Sequence, residues 1–117
     1  MAVILSTTGV VTTYGDRAHV ITWTLLANGD SGSILEMPGS SDRSVQVTGT
    51  FGVGGNLRIE GSNDGTNYSV LTDPQGNALD FTATKIEAVL ELTRYIRPRV
   101  TAGDGTTSIT VSMLVKK

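Results

Sequence analysis

A chain of 117 residues, 17% of them charged and with a net charge of −2, is sized for one hydrophobic core and has no global field that would draw in nucleic acid or an anionic membrane. Its cysteine count is 0, which excludes disulfides, thiolate nucleophiles and cysteine-based zinc sites together. The opening Met1-Ala2-Val3-Ile4-Leu5 has neither the basic start nor the apolar length of a secretion signal, and no segment approaches the roughly 18 apolar residues of a membrane span, so the expectation is a soluble protein made in the cytoplasm.

Residues 1–16 hold apolar islands, Val3-Ile4-Leu5 and Val10-Val11, separated by Ser6-Thr7-Thr8-Gly9 and Thr12-Thr13 without clear turn chemistry. They read as an extended N-terminal arm ahead of one domain over residues 17–117. An apolar arm gains nothing in water, so it either adds a strand to its own domain or docks on a neighbour. Docking makes Val3, Ile4, Leu5, Val10 and Val11 interface candidates, because burying each side chain is worth roughly 1.5–3 kcal/mol against about 1–2 kcal/mol of backbone entropy per ordered residue.

Beyond the arm, 14 Gly and 3 Pro punctuate short runs rich in Thr, Ser and Val that alternate with period two, the pattern of many short strands. From Arg17 to Ala27 the alternation places Ile21, Trp23 and Leu25 on one face and Thr22 and Thr24 on the other. Ser44 to Phe51 turns Val45, Val47, Gly49 and Phe51 inward, and Asn56 to Gly61 does the same with Leu57 and Ile59 against Arg58 and Glu60. Gly52-Val53-Gly54-Gly55 and the stretch Gly61 to Asn67 are turns, since Asn, Asp and Gly tolerate left-handed backbone angles. Tyr68 to Leu71 and Leu79 to Ala83 are short strands around the loop Asp73 to Asn77. Thr84 to Thr93 fits two periods at once, and the expectation is at most one helical turn leading into a strand.

Arg94 to Thr101 and Ser108 to Val115 are expected to pair as a hairpin across Ala102-Gly103-Asp104-Gly105-Thr106. Pro98 has no N–H to give a ladder, so its strand is an edge or is interrupted there. About seven or eight strands in this length indicate an all-β, antiparallel β-sandwich, with jelly roll as the leading version. The expected core is Ile21, Trp23, Val45, Val47, Leu57, Ile59, Ile109, Val111 and Met113.

The chemistry-bearing patterns are sparse. Gly29-Asp30-Ser31-Gly32 matches the surroundings of a serine-protease nucleophile, but His19 is the only available base and that fold needs roughly twice this length, so the tetrapeptide reads as a turn. The glycines at 52–55 lack the third glycine and the following helix of a dinucleotide loop. Neither Asp64 nor Asp104 has the alternating carboxylates of a calcium loop. No catalytic residue, cofactor or metal is therefore expected. Arg94, Arg97 and Arg99 form a basic patch with Glu36, Glu60, Glu87 and Glu91 as available neutralisers, which suits a protein interface better than nucleic acid.

The stretches Ile59-Glu60-Gly61-Ser62-Asn63-Asp64-Gly65-Thr66-Asn67-Tyr68, Arg94-Tyr95-Ile96-Arg97-Pro98 and Gly103-Asp104-Gly105-Thr106-Thr107-Ser108-Ile109-Thr110-Val111 resemble head decoration, or cement, proteins of tailed bacteriophages. The first is shared with discoidin-like jelly rolls. The resemblance implies a non-enzymatic jelly-roll subunit on the exterior of the virion that bridges capsomers of the major capsid protein and stabilises the shell, often as a dimer or trimer. The alternative is a carbohydrate- or receptor-binding jelly-roll module of a phage tail, which exposed loop aromatics would favour.

Overall fold

Alternating apolar and polar residues are realised as strands throughout. The structure, a computed structural model, describes residues 2–10 and 18–117, with Val10 described by its backbone, and no helix occurs among these residues. The strands are β1 (Val3–Ile4), β2 (Thr7–Val10), β3 (Ala18–Leu26), β4 (Ser31–Gly32), β5 (Asp42–Thr50), β6 (Asn56–Ser62), β7 (Ser69–Val70), β8 (Asp80–Phe81), β9 (Lys85–Ala88), β10 (Tyr95–Ala102) and β11 (Ser108–Lys116). They make two sheets. Sheet A runs β1-β4-β10-β6, with β7 and β8 both pairing along the far side of β6, and sheet B runs β2-β3-β11-β5-β9. The pairings are antiparallel except that of β1 with β4.

The two sheets close on one core, and every residue expected there is fully buried: Ile21, Trp23, Val45, Val47, Ile109, Val111 and Met113 from sheet B, and Leu57 and Ile59 from sheet A. Ile96 and Val100 of β10 join them. The Trp23 indole N–H donates to the Ser33 carbonyl at 3.1 Å, so the largest core side chain is buried without an orphaned donor. Gly32 is required by this packing. A Cβ there would lie 2.6 Å from the Trp23 ring and 2.7 Å from Pro98, so β4 can pass only as bare backbone.

Several expectations are corrected. Arg94 to Thr101 and Ser108 to Val115 do not form a hairpin: β10 lies between β4 and β6 in sheet A, and β11 between β3 and β5 in sheet B. Alternation reports which face of a strand is buried and leaves open which strand lies beside it. The intervening turn is instead a corner between the sheets. Its Asp104 carboxylate accepts the Thr106 N–H at 2.8 Å and the Val53 N–H at 2.9 Å, and the Thr107 hydroxyl donates to the Phe51 carbonyl at 2.8 Å.

Pro98 accordingly sits on an interior strand, and the ladder is interrupted beside it: β10 meets the β4 side only at Arg99 with Ser31 and at the isolated bridge of Ile96 with Leu35. Leu25 does not face inward with Trp23. Thr24 and Leu25 together oppose Thr110, because the register shifts between Ile109 and Val111. This bulge puts Leu25 at φ 58° and leaves it 68% exposed while Leu26 takes the core position. No helical turn forms at Thr84; Lys85–Ala88 pairs directly with β5, and Ile86 points to solvent.

The described part of the N-terminal segment belongs to the sandwich. It supplies an edge strand to each sheet, β1 beside β4 and β2 beside β3, and Ile4 packs against the core. The first link is held by Asp30, whose carboxylate accepts the Ala2 N–H at 3.0 Å and the Ala27 N–H at 2.9 Å.

Candidate functional site

The outer face of sheet A concentrates the charged chemistry. In β6, Leu57 and Ile59 turn to the core, so Arg58 and Glu60 must turn away; in β10, Ile96, Pro98 and Val100 are buried, so Tyr95, Arg97 and Arg99 share the opposite face. The register then sets Arg97 opposite Glu60 and Arg99 opposite Arg58. Two arginines facing each other across a ladder repel, and the Glu60 carboxylate offsets this. Its side chain is 4% exposed. One oxygen accepts Arg97 Nε at 3.2 Å, and the other accepts Arg99 Nε at 3.0 Å and Arg99 Nη2 at 2.9 Å, with Arg58 Nη1 at 3.9 Å. Arg58 also reaches Asp80 at 3.7 Å. Three guanidinium groups thus meet two carboxylates, leaving one positive charge in excess.

Beside this cluster lies an open cleft of about 530 Å³ whose walls include Ser31, Glu60, Thr66, Tyr68, Arg97 and Arg99. The Arg97 guanidinium lies over the Tyr68 ring, 4.1 Å from its centroid, a cation–π contact that helps hold it in place. Burial pushes the Tyr68 phenol up. The turn that delivers Thr66 and Tyr68 is built on Asp64, whose Oδ1 accepts the Asn67 and Thr66 N–H groups and the Ser62 hydroxyl, each at 2.8 Å. These bonds, the Asn67 N–H foremost, hold the Asp64 carboxyl well below the usual carboxylate range.

The interface residues expected from the sequence separate in space. Arg97 and Arg99 come together, whereas Arg94 forms its own pair with Glu36 at 2.7 Å and stacks on Tyr95 at 5.0 Å. Of the other neutralisers, Glu87 pairs with Lys85 at 3.0 Å and Glu91 accepts the Thr72 N–H at 2.8 Å. Val3 joins the arginine face, since the registers form the row Val3, Ser31, Arg99, Arg58, Asp80 across sheet A. Val3 and Leu5 flank the inward Ile4 and are 66% and 79% exposed. Val10 pairs with His19 at the edge of sheet B, and Val11 lies outside the described residues.

Arg58 and Tyr68 were not among the sequence candidates. Arg58 was legible as an outward residue of its strand, but only the pairing of strands distant in the chain shows that it shares Glu60. The protease-like tetrapeptide is tied into structure: Ser31 donates its N–H to the Ala2 carbonyl at 2.9 Å, and His19 belongs to the other sheet. Asp64 directs its oxygens at its own turn and Asp104 at its own turn and the Val53 N–H, and no cluster of three or more metal-ligating side chains occurs among the described residues.

No protein-family model matches this chain, and no curated protein matches it in sequence. Its fold does have a counterpart. SPBc2 prophage-derived protein YomS, a crystal structure, aligns with a TM-score of 0.63 over 86% of this chain and 95% of that one, at 11% identity. The cysteine peptidase Peruvianin-I from Thevetia peruviana latex aligns at a TM-score of 0.48 over 96% of this chain and 61% of that one, at 14% identity, too distant to bear on chemistry. The first likeness concerns the sandwich as a whole, and at such identity it extends to the fold alone.

Proposed function

We propose that this chain is a non-enzymatic structural protein of a phage particle, a decoration protein that binds the exterior of the capsid, bridges capsomers of the major capsid protein and stabilises the shell. The observation that carries this reading is the placement of exposed Val3 in one row with Arg99 on the face of the Arg97–Arg99 cluster, with exposed Leu5 two residues further along the chain. Arginine and apolar anchors in one patch are what protein interfaces use. The fold likeness to a prophage-derived protein supports the phage setting. Many copies, as a dimer or trimer on a repeating shell, would turn modest single contacts into firm attachment.

The tail-module alternative calls for aromatic platforms. Tyr68 and Tyr95 each already carry an arginine over one face, which weighs against sugar stacking there. The test is co-sedimentation with shells lacking the protein. The full chain is expected to pellet with them and to raise their resistance to heat, while Val3→Asp with Leu5→Asp weakens pelleting at least tenfold and leaves the melting temperature of the isolated protein within a few degrees. Failure of the full chain to pellet, together with specific binding on a glycan array, would replace this reading with the tail-module one.

A further inference from the structure

The arginine cluster is incomplete as a charge arrangement. Arg97 contacts Glu60 through Nε and lies over the Tyr68 ring, and its terminal nitrogens have no hydrogen-bond acceptor among the described residues. Arg99 spends Nε and Nη2 on the same carboxylate. The Glu60 carboxylate is thereby satisfied by the hydrogen bonds of Arg97 and Arg99, and the positive charge it leaves in excess borders a cleft roomy enough for a side chain. Guanidinium groups held in a fixed plane select planar, bidentate acceptors. The neighbouring Ser31 and Thr66 add hydroxyls at the cleft wall.

We propose that this cleft is a receptor for one carboxylate side chain, an Asp or Glu presented by the protein surface on which the chain docks. Arg97 and Arg99 donate to the incoming carboxylate, and Glu60 is the built-in counter-ion that positions both guanidinium groups before the partner arrives. This rests on the reading of this side of sheet A as the docking side, and it adds the partner's chemistry. A nucleic acid fits less well: the positive excess is a single charge beside a buried carboxylate, whereas a phosphate backbone is followed by an extended track of cations. Val3, exposed in the same row as Ser31 and Arg99, asks for apolar surface next to the acid.

The test needs no shell. Side-chain Nε–Hε resonances of Arg97 and Arg99 are followed by NMR while N-acetylglutamate methylamide is added to the full chain, with sodium chloride and inorganic phosphate at matched ionic strength as parallel arms. Saturable shifts confined to these two arginines are expected with the glutamate probe, reduced at least fivefold in Arg97→Gln and weakened in Arg97→Lys, which keeps the charge and loses the planar fork. A thermal melt of each variant confirms that it is folded. Shifts that follow ionic strength alike in all arms would overturn the proposal, and so would saturation by phosphate without saturation by the glutamate probe. Failure of the docking reading looks different: the probe binds as expected while the full chain does not pellet with shells. If Arg97→Gln loses the probe yet pellets undiminished, the cleft is not where the partner's acid sits and the proposal fails while the docking reading stands.

Discussion

The two outer faces of the sandwich are built by the same alternation over the same core and differ in almost everything else. One row across sheet A reads Val3, Ser31, Arg99, Arg58, Asp80; one row across sheet B reads Thr7, Thr22, Ser112, Gln46, Ile86. The second row has no charge, and its hydroxyl, amide and β-branched side chains are those that a solvated sheet tolerates. The first sets arginine against arginine and must enclose a carboxylate one row away to do so. A row that sets like charges against each other beside an enclosed carboxylate is a better candidate for function than a row of uncharged, strand-compatible residues.

The contrast can be broken most directly at Glu60. Glu60→Gln is expected to destabilise the protein by about 2–3 kcal/mol, below the range for a fully buried partner because the three guanidinium groups are 26–38% exposed. Ser112→Ala on the other face is expected to stay within about 0.5 kcal/mol. Urea denaturation of both variants measures the difference, and equal effects would remove the energetic distinction between the faces.

Leu25 offers a smaller effect of opposite sign within sheet B. A leucine in the left-handed region carries a penalty of about 1–2 kcal/mol that Asn bears more easily, and this side chain is mostly in solvent. Leu25→Asn is therefore expected to stabilise by about 0.5–1 kcal/mol, read as a higher urea midpoint at unchanged slope. A loss instead would mean that the exposed leucine packs on something in the folded protein.

The smallest effect is local and appears in acid. The Thr106 hydroxyl, with the Val53 and Thr106 N–H groups, lowers the Asp104 carboxyl to about 2, against about 3.9 for an unperturbed aspartate. Because the folded value is the lower one, the contribution is complete above the unfolded value and is lost as pH falls through about 2. Amide exchange at Val53 and Thr106 should accelerate across that window in the wild type, and Asp104→Asn should abolish the pH dependence while sheet B amides such as Ser112 remain protected. Uniform acceleration across the molecule would show global acid unfolding in place of a corner opening.

Much of the sandwich was legible in the chain itself. Period-two runs identified the buried side chains from Ile21 to Met113, because burial on one face of a strand imposes alternation whatever the strand pairs with. The Asn-, Asp- and Gly-rich turns at 61–67 and 103–107 were legible for a local reason, since their carboxylates bond to backbone two or three residues away, although the further bond of Asp104 to Val53 was not. Of the candidate site, Arg97 and Arg99 were visible as a basic run, and Glu60 as one neutraliser among several.

What the tertiary structure alone decided is which strands are neighbours. Whether Arg94 to Thr101 turns back on Ser108 to Val115 or crosses to the other sheet changes no residue's inward or outward status, so alternation is silent on it. That choice places β10 beside β6 and thereby brings Arg97, Arg99 and Arg58 to one carboxylate. It was likewise beyond local pattern that the N-terminal segment would divide between both sheet edges, turning Ile4 to the core and leaving Val3 and Leu5 outside, since a segment without turn chemistry or long alternation is positioned by the edges available to it. Side-chain burial is a property of each strand and is written in its own residues, whereas the charged face is a property of pairs of strands far apart in the chain.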